Sequence, residues 1–184
     1  MGMYVYKMFK PGLVCRGYKF KVGLNECEHA TCVKEGFHAA ENPLDCLTYY
    51  RDFDSSECWL CYADGDIHED GTDSKISCTK LEILRRLEKH EFVCEAVTYM
   101  IEHPKRPFNT MIKRDNAYTD SNGIAIVIGK NPRAISADDG GVIALIQTNA
   151  EDTPERILLI YGEQVKKGRT YQIKEREVHD DERS

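Results

Sequence analysis

Residues 36–50 place three structural signals in direct succession: a short strand, a turn and a helix start. Gly36-Phe37-His38 is typical of a strand that ends in a histidine, and a turn at Glu41-Asn42-Pro43 follows it. Asparagine is a preferred N-cap and proline is favoured at the first helical position, so the sequence predicts a helix that begins at Pro43. Apolar residues then recur at intervals of three and give that helix one apolar face (Leu44, Leu47 and Tyr50). A histidine beside a capped helix is a candidate position for a ligand, and it is equally an ordinary way for a chain to turn.

The 184 residues have the composition of a globular protein, with 41% hydrophobic and 30% charged residues. This length allows one substantial core, or two small cores that share an interface. A net charge of −6 argues against general nucleic-acid binding, because a protein that binds phosphates along a strand needs a basic face. A local duplex-binding edge is the alternative, since one connection is basic (Lys105, Arg106, Lys113 and Arg114).

The sequence contains no membrane signal. No apolar run approaches the roughly 20 residues that a bilayer-spanning helix needs. The N-terminal sequence MGMYVYKMFK lacks the apolar core of a secretory signal. We therefore expect no membrane partner and an intracellular location.

Eight cysteines raise the question of a metal site. Cys27, His29 and Cys32 form a C-x-H-x-x-C pattern, and Cys58 and Cys61 form a C-x-x-C pattern, which together nominally supply a zinc site. The second pair lies in a predicted strand, however, where residues three apart face opposite sides. We therefore expect reduced cysteines that act as small buried apolar residues, with no metal and no other cofactor. A structural zinc site through the first three residues is the alternative.

The first 105 residues alternate strand and helix signals. A β-hairpin is predicted between residues 4–9 and 14–20, with a bulge or a close backbone approach at Arg16-Gly17. A weak strand over 75–83 is followed by apolar residues at spacings of four and three, which predict a long helix over 84–102. The predicted apolar stripe of that helix consists of Ile83, Leu87, His90, Cys94, Val97 and Ile101.

Beyond residue 122 the pattern is that of strands alone. The apolar runs at 123–129, 142–146 and 157–161 indicate strands that are buried on both faces. The sequence thus predicts an α+β fold: a mixed β-sheet with two main helices, followed by a mostly antiparallel all-β C-terminal region. The expected division is an α+β region over residues 1–105, a connection over 106–122, a β-rich region over 123–178 and a charged tail over 179–184.

Two motifs carry a resemblance to a known group of proteins. CRGYKFKVG at residues 15–23 and CVKEGFHAAENPLDCLTYY at residues 32–50 resemble an uncharacterised family encoded by phages and prophages of bacteria. Residues 123–178 also resemble the closing segment of that family. The resemblance implies a phage or mobile-element context, the cytoplasm of a bacterial host as the location, and no assigned activity. Many members carry a glycine- and alanine-rich repeat before the closing segment, and residues 122–136 of this chain resemble a single remnant of it.

The Arg-Gly strand followed by Gly-Phe-His is also similar to the opening of ADP-ribosyltransferase-like folds. That similarity implies that Arg16 and His38 hold a nicotinamide dinucleotide and that Glu163 or Glu175 activates the acceptor. The structural alternative is that both motifs only fix the geometry of the backbone.

The first functional expectation is a non-enzymatic accessory protein, a binding module for an unidentified protein or small molecule. The nucleotide-using transferase and the structural zinc protein are the alternatives. The candidate ligand-binding residues are Arg16, His38, Glu41 and Asn42. A dense apolar surface patch would favour the binding module, and a cleft lined by both Arg16 and His38 would favour the transferase. A homodimer is expected on the general ground that small proteins often form one.

Overall fold

The structure, a computed structural model, describes residues 2–31, 35–69, 71 and 73–173. Within these residues the chain forms twelve β-strands, two α-helices and one 3₁₀ turn at Gly162–Gln164. Neither helix has the length and apolar character needed to cross a lipid bilayer. The strands are β1 (Met3–Phe9), β2 (Val14–Cys15), β3 (Tyr18–Lys19), β4 (Gly23–Glu26), β5 (Phe37–Ala40), β6 (Glu57–Glu69), β7 (Lys75–Leu87), β8 (Ile112–Tyr118), β9 (Ile124–Ile135), β10 (Val142–Thr148), β11 (Pro154–Tyr161) and β12 (Thr170–Gln172), and the helices are α1 (Pro43–Tyr49) and α2 (Lys89–Glu102).

The first sheet closes into a small barrel. Strands β5, β1, β6 and β7 pair in a ring, and every pairing in the ring is antiparallel. Strand β6 pairs along one edge of β7, while β5 and β4 follow one another along its other edge. A small barrel of this kind is filled by side chains rather than hollow. Its buried core includes Val5, Phe9, Phe20, Phe37, Ile76, Leu81 and Ile83.

The two helices lie between the barrel and a second sheet. The order of that sheet is β11-β10-β9-β12, and β8 also pairs with β9. A single core joins the barrel, the helices and one face of the second sheet, so the two halves of the chain share their apolar interior. This core includes Met8, Leu44, Leu87, Phe92, Val97, Ile126 and Ala144.

The predicted α+β class is wrong, because the structure is mostly β: 51% of the described residues lie in strands and 14% in helices. The first sheet, predicted to be mixed, has only antiparallel pairings. The second sheet, predicted to be mostly antiparallel, pairs β9 in parallel with β8 and β10, and has antiparallel pairs at β10–β11 and β9–β12. Strand β8 lies inside residues 106–122, which the sequence predicted to be a connection.

The long helix predicted over 84–102 is shorter than expected. Strand β7 continues to Leu87, and α2 begins only at Lys89, where the Glu91 carboxylate accepts a hydrogen bond from the Glu88 backbone N–H at 2.8 Å. A spacing of four residues returns to the same face in a strand as well as in a helix, so Ile83 and Leu87 fitted both patterns. The predicted stripe is therefore only partly correct: Val97 is buried as predicted, whereas Cys94 and Ile101 are exposed. The residues that α2 buries are Phe92, Val93, Ala96, Val97 and Met100.

Two further strand predictions also need correction. Residues 14–20 do not pair with β1; they fold back on themselves as β2 and β3, joined by Arg16-Gly17. The third C-terminal run, over 157–161, is not buried on both faces, because β11 lies at the end of its sheet and Ile157 is 51% exposed. The runs in β9 and β10 are buried on both faces, as predicted.

Candidate functional site

The wall of the barrel opens between β1 and β5. These strands pair only at Tyr6 and Ala40, whereas β1 stays paired with β6 along its full length and β5 stays paired with β7. Beyond Tyr6 the two strands separate, which leaves a gap beside Lys7, Met8 and His38. Backbone groups that a complete sheet would satisfy then need other partners.

Two side chains supply those partners. The Lys7 Nζ atom donates a hydrogen bond to the carbonyl oxygen of His38. The Cys46 thiol of α1 donates to the carbonyl oxygen of Tyr6 at 3.4 Å and accepts a hydrogen bond from the Met8 backbone N–H. Burial raises the pKa of the Cys46 thiol to about 12, so the thiol stays protonated and remains a donor. These backbone groups are thus hydrogen-bonded within the fold, while the gap between the two strands stays open.

The gap forms the floor of a cleft with a volume of about 1010 Å³. The β2–β3 hairpin borders one side, and α1 with the residues that follow it borders the other. This volume lies at the upper end of the range that small-molecule sites occupy. The lining side chains include the aromatic residues Tyr6, Tyr18, Phe20, Phe37, Tyr49 and Tyr50.

The charged lining of the cleft is almost entirely cationic. Among the described residues that line it, Asp52 is the one carboxylate, and hydrogen bonds from Ser55 lower its pKa. Three exposed cations, Lys10, Arg16 and Arg51, form no salt bridge within the described part of the chain. A cleft lined by one sign of charge concentrates the field and attracts ligands of opposite charge, here in a chain whose net charge is −6. The cationic lining residues are Lys7, Lys10, Arg16, Arg51 and Lys75.

The hairpin geometry brings Arg16 to the mouth of the cleft. Arg16 and Gly17 have φ angles of 50° and 83°, as a two-residue turn between antiparallel strands requires. Beside this turn, the Tyr50 hydroxyl donates a hydrogen bond to the Cys15 sulfur at 3.2 Å. Burial is the main cause that raises the pKa of Tyr50, so its hydroxyl remains a proton donor.

The four predicted ligand-binding residues do not lie in a single site. Arg16 and His38 both line the cleft. Glu41 instead lines a second pocket of about 540 Å³, together with carboxylates of α2, and burial followed by the charge of Glu69 raises its pKa. Asn42 is the N-cap of α1, as the sequence predicts, and its side-chain oxygen accepts a hydrogen bond from the Leu44 N–H at 3.1 Å.

One of the two glutamates implied by the transferase similarity lies in the part of the chain that the structure describes. Glu163 lies in the 3₁₀ turn after β11, away from the cleft lining. Glu175 lies outside the described residues.

The cysteine patterns do not converge on a common point. Cys58 lies in the core between barrel and helices and Cys61 inside the barrel, so the two thiols face opposite sides of β6 as predicted. Burial raises the pKa of Cys27 as well as of this pair. Within the described ranges no three His, Cys, Asp or Glu residues are arranged to hold a metal ion, and Cys32 lies outside those ranges.

Sequence reasoning missed Lys7, Lys10, Arg51 and Lys75 as cleft residues. For Lys7 a signal was present: in the alternating strand it shares a face with Val5 and Phe9, and a lysine on a buried face is unusual. The other three are ordinary surface cations until the fold brings them to one cleft.

Comparison with known proteins gives one match. A family model described as "Domain of unknown function (DUF7666)" matches residues 3–95, which contain the whole barrel and every residue that lines the cleft. No curated protein and no solved structure matches the chain. Since the matched segment covers just over half of the 184 residues, the chain belongs to the family described as Domain of unknown function (DUF7666).

Proposed function

We propose that the protein is a binding module for a small organic anion that carries an aromatic ring, held in the cleft between β1 and β5. The observation that carries this proposal is a set of three cations at the mouth, Lys10, Arg16 and Arg51, which form no salt bridge with the described residues and surround a cavity walled by aromatic side chains. A guanidinium group can donate two parallel hydrogen bonds to two oxygens of one carboxylate or phosphate, and tyrosine rings provide flat apolar surfaces for a ligand ring.

A pair of probes with the same ring and opposite charge tests the sign of the ligand. Phenyl phosphate is expected to bind and benzylamine is not. A ligand at a hundred times its dissociation constant raises the stability by about 2.7 kcal/mol, which a thermal-shift measurement detects. Equal stabilisation by both probes, or by neither, would contradict the proposal.

Matched substitutions test the place of binding. Arg16→Gln and Arg51→Gln are expected to weaken the binding of phenyl phosphate by about tenfold each, as loss of a charge-assisted hydrogen bond implies. Arg133→Gln removes an exposed guanidinium from the second sheet and is the control. A loss of affinity in the control as large as that in the cleft variants would place the ligand elsewhere.

A nucleotide-using transferase is the second candidate, and the presence of Arg16 and His38 in one cleft favours it. If the cleft performs such a reaction, incubation with NAD⁺ should release nicotinamide, and His38→Ala should abolish the release. Binding of NAD⁺ without release would leave the binding module as the function.

We also propose a phage or prophage context in a bacterial cytoplasm. The support is the resemblance of residues 15–23 and 32–50 to proteins of that origin. Genes of unrelated, purely chromosomal function on both sides of the coding sequence would argue against it.

A further inference from the structure

Lys7 is a buried cation that has no anionic partner among the residues whose positions the structure gives. It is 6% exposed and forms no salt bridge with any residue that the structure describes. Its Nζ atom donates to the His38 carbonyl oxygen and lies 5.4 Å and 5.2 Å from the ring centroids of Phe9 and Phe20. These rings and one carbonyl oxygen compensate a full positive charge only in part.

The ammonium group also has unused hydrogen-bonding capacity. An ammonium carries three N–H donors, and one of them is directed to His38. Because Lys7 lines the cleft, the remaining donors can meet a ligand that enters through the gap between β1 and β5. A ligand oxygen there would satisfy both the charge and the donors.

The cleft therefore has two cationic ends of different character. At the mouth, Lys10, Arg16 and Arg51 are exposed and together match a multiply charged group such as a phosphate. At the inner end, a single ammonium lies beside the rings of Phe9 and Phe20, and one positive charge in an apolar setting matches a single negative charge.

We propose that Lys7 forms an inner anion subsite, and that the ligand of the cleft carries a carboxylate at its inner end and a phosphate at its outer end, joined through an aromatic ring. This inference rests on the proposed function, because it assigns the chemistry of one end of the same ligand.

The test compares phenyl phosphate with phenyl phosphates that carry a second acid. The series contains 4-carboxyphenyl phosphate and the longer 4-(carboxymethyl)phenyl and 4′-carboxybiphenyl phosphates. These compounds differ in the distance between carboxylate and phosphate, so that one of them can span the distance between the two ends of the cleft. At least one carboxylate compound is expected to bind the wild-type protein about tenfold more tightly than phenyl phosphate, measured by isothermal titration calorimetry.

Substitutions then assign that gain to one residue. In Lys7→Met the gain should disappear while phenyl phosphate still binds; in Arg16→Gln both compounds should weaken and the gain should persist. Lys7→Gln, which keeps a donor without the charge, provides a second variant if Lys7→Met does not fold. Lys130→Met removes an exposed lysine of β9 and should change nothing.

The outcomes separate the two proposals. Absence of any gain across the series, or a gain that survives in both Lys7 variants, would overturn the inner subsite and leave the binding module intact. Failure of every phosphate in the series to bind the wild-type protein would overturn both.

Discussion

Four cysteines contribute to this fold as protonated, apolar side chains. Cys46, Cys58, Cys61 and Cys78 are all buried. Burial raises the pKa of Cys46 and of Cys78 to about 12, and it raises the pKa values of Cys58 and Cys61 well above the ordinary value. Thiols in this state are poor nucleophiles and poor metal ligands. Cys46 and Cys58 lie in the core between the barrel and the helices, and Cys61 and Cys78 lie inside the barrel.

The raised pKa values predict a loss of stability in alkali. The folded state holds these protons more tightly than the unfolded chain, whose thiols titrate near 9.0. The stabilising contribution is therefore complete below pH 9 and is lost as the pH rises from there through the folded values. Urea unfolding at pH 7.5, 9 and 10 should show a falling free energy of unfolding, by up to about 1.4 kcal/mol per pH unit for each thiol. Cys46→Ala should make the slope shallower; an unchanged free energy across this range would contradict the account.

Position 36 requires glycine for two reasons, its backbone conformation and the close approach of neighbouring atoms. Its φ angle is 89°, and a Cβ atom there would lie 2.8 Å from the Ala30 Cβ. Gly12 has a similar φ angle of 81° with no atom within 4 Å of such a Cβ, so it offers a matched control. Gly12→Ala should cost about 1 kcal/mol from backbone strain alone, and Gly36→Ala roughly 2–4 kcal/mol because a steric clash is added. Equal effects in urea denaturation would show that the close approach to Ala30 is unimportant.

Single residues also show where sequence reasoning reaches its limit. Arg16 and His38 could be selected from local motifs, because each stands beside a glycine or a capped helix. Lys7 could not be selected in the same way, since its importance follows from the separation of β1 and β5, which lie about 30 residues apart in the chain. The alternation of β1 gives the face of Lys7 but not the gap beside it.

The start of helix α1 is the element boundary that the sequence predicted best, with Asn42 as the N-cap and Pro43 as the first helical residue. A cap is a local interaction, and Asn42 accepts the Leu44 N–H within two residues of chain. Asn42→Ala should therefore destabilise the protein by about 1 kcal/mol, measured by urea denaturation. Asn42→Asp keeps an acceptor oxygen and should remain close to wild type. If both variants lose the same stability, the side-chain hydrogen bond is not what stabilises the start of the helix.

Strands were harder to predict than helix caps because their pairing is decided by distant residues. Residues 14–20 have an ordinary strand pattern, yet β1 pairs with β6 instead, and the segment turns back on itself at Arg16-Gly17. The spacing between Ile83 and Leu87 suits a strand and a helix equally, and the choice was made by pairing with β6. The α+β prediction failed for this reason, since β6 and β7 are 13-residue strands that account for much of the barrel.

At the scale of the whole molecule, the shared core predicts that barrel and second sheet unfold together. Ile126 of β9 is 1% exposed and packs in the same core as Met8 of β1. The single tryptophan, Trp59, lies in β6 against the barrel interior and reports on the barrel alone. Ile126→Ala should therefore lower the free energy of unfolding measured by Trp59 fluorescence by about 2–5 kcal/mol, although the substitution lies in the other half of the chain.

The control for this prediction is Ile157→Ala on β11, where the side chain is 51% exposed and little apolar contact is lost. Unfolding followed by far-ultraviolet circular dichroism, which reports on both sheets, should coincide with the fluorescence transition in wild type and in both variants. If Ile126→Ala shifts the circular dichroism transition and leaves Trp59 fluorescence in place, the barrel unfolds independently of the second sheet. A cooperative result would mean that residues 3–95, the segment that the family model matches, form their cleft on a core that the rest of the chain completes.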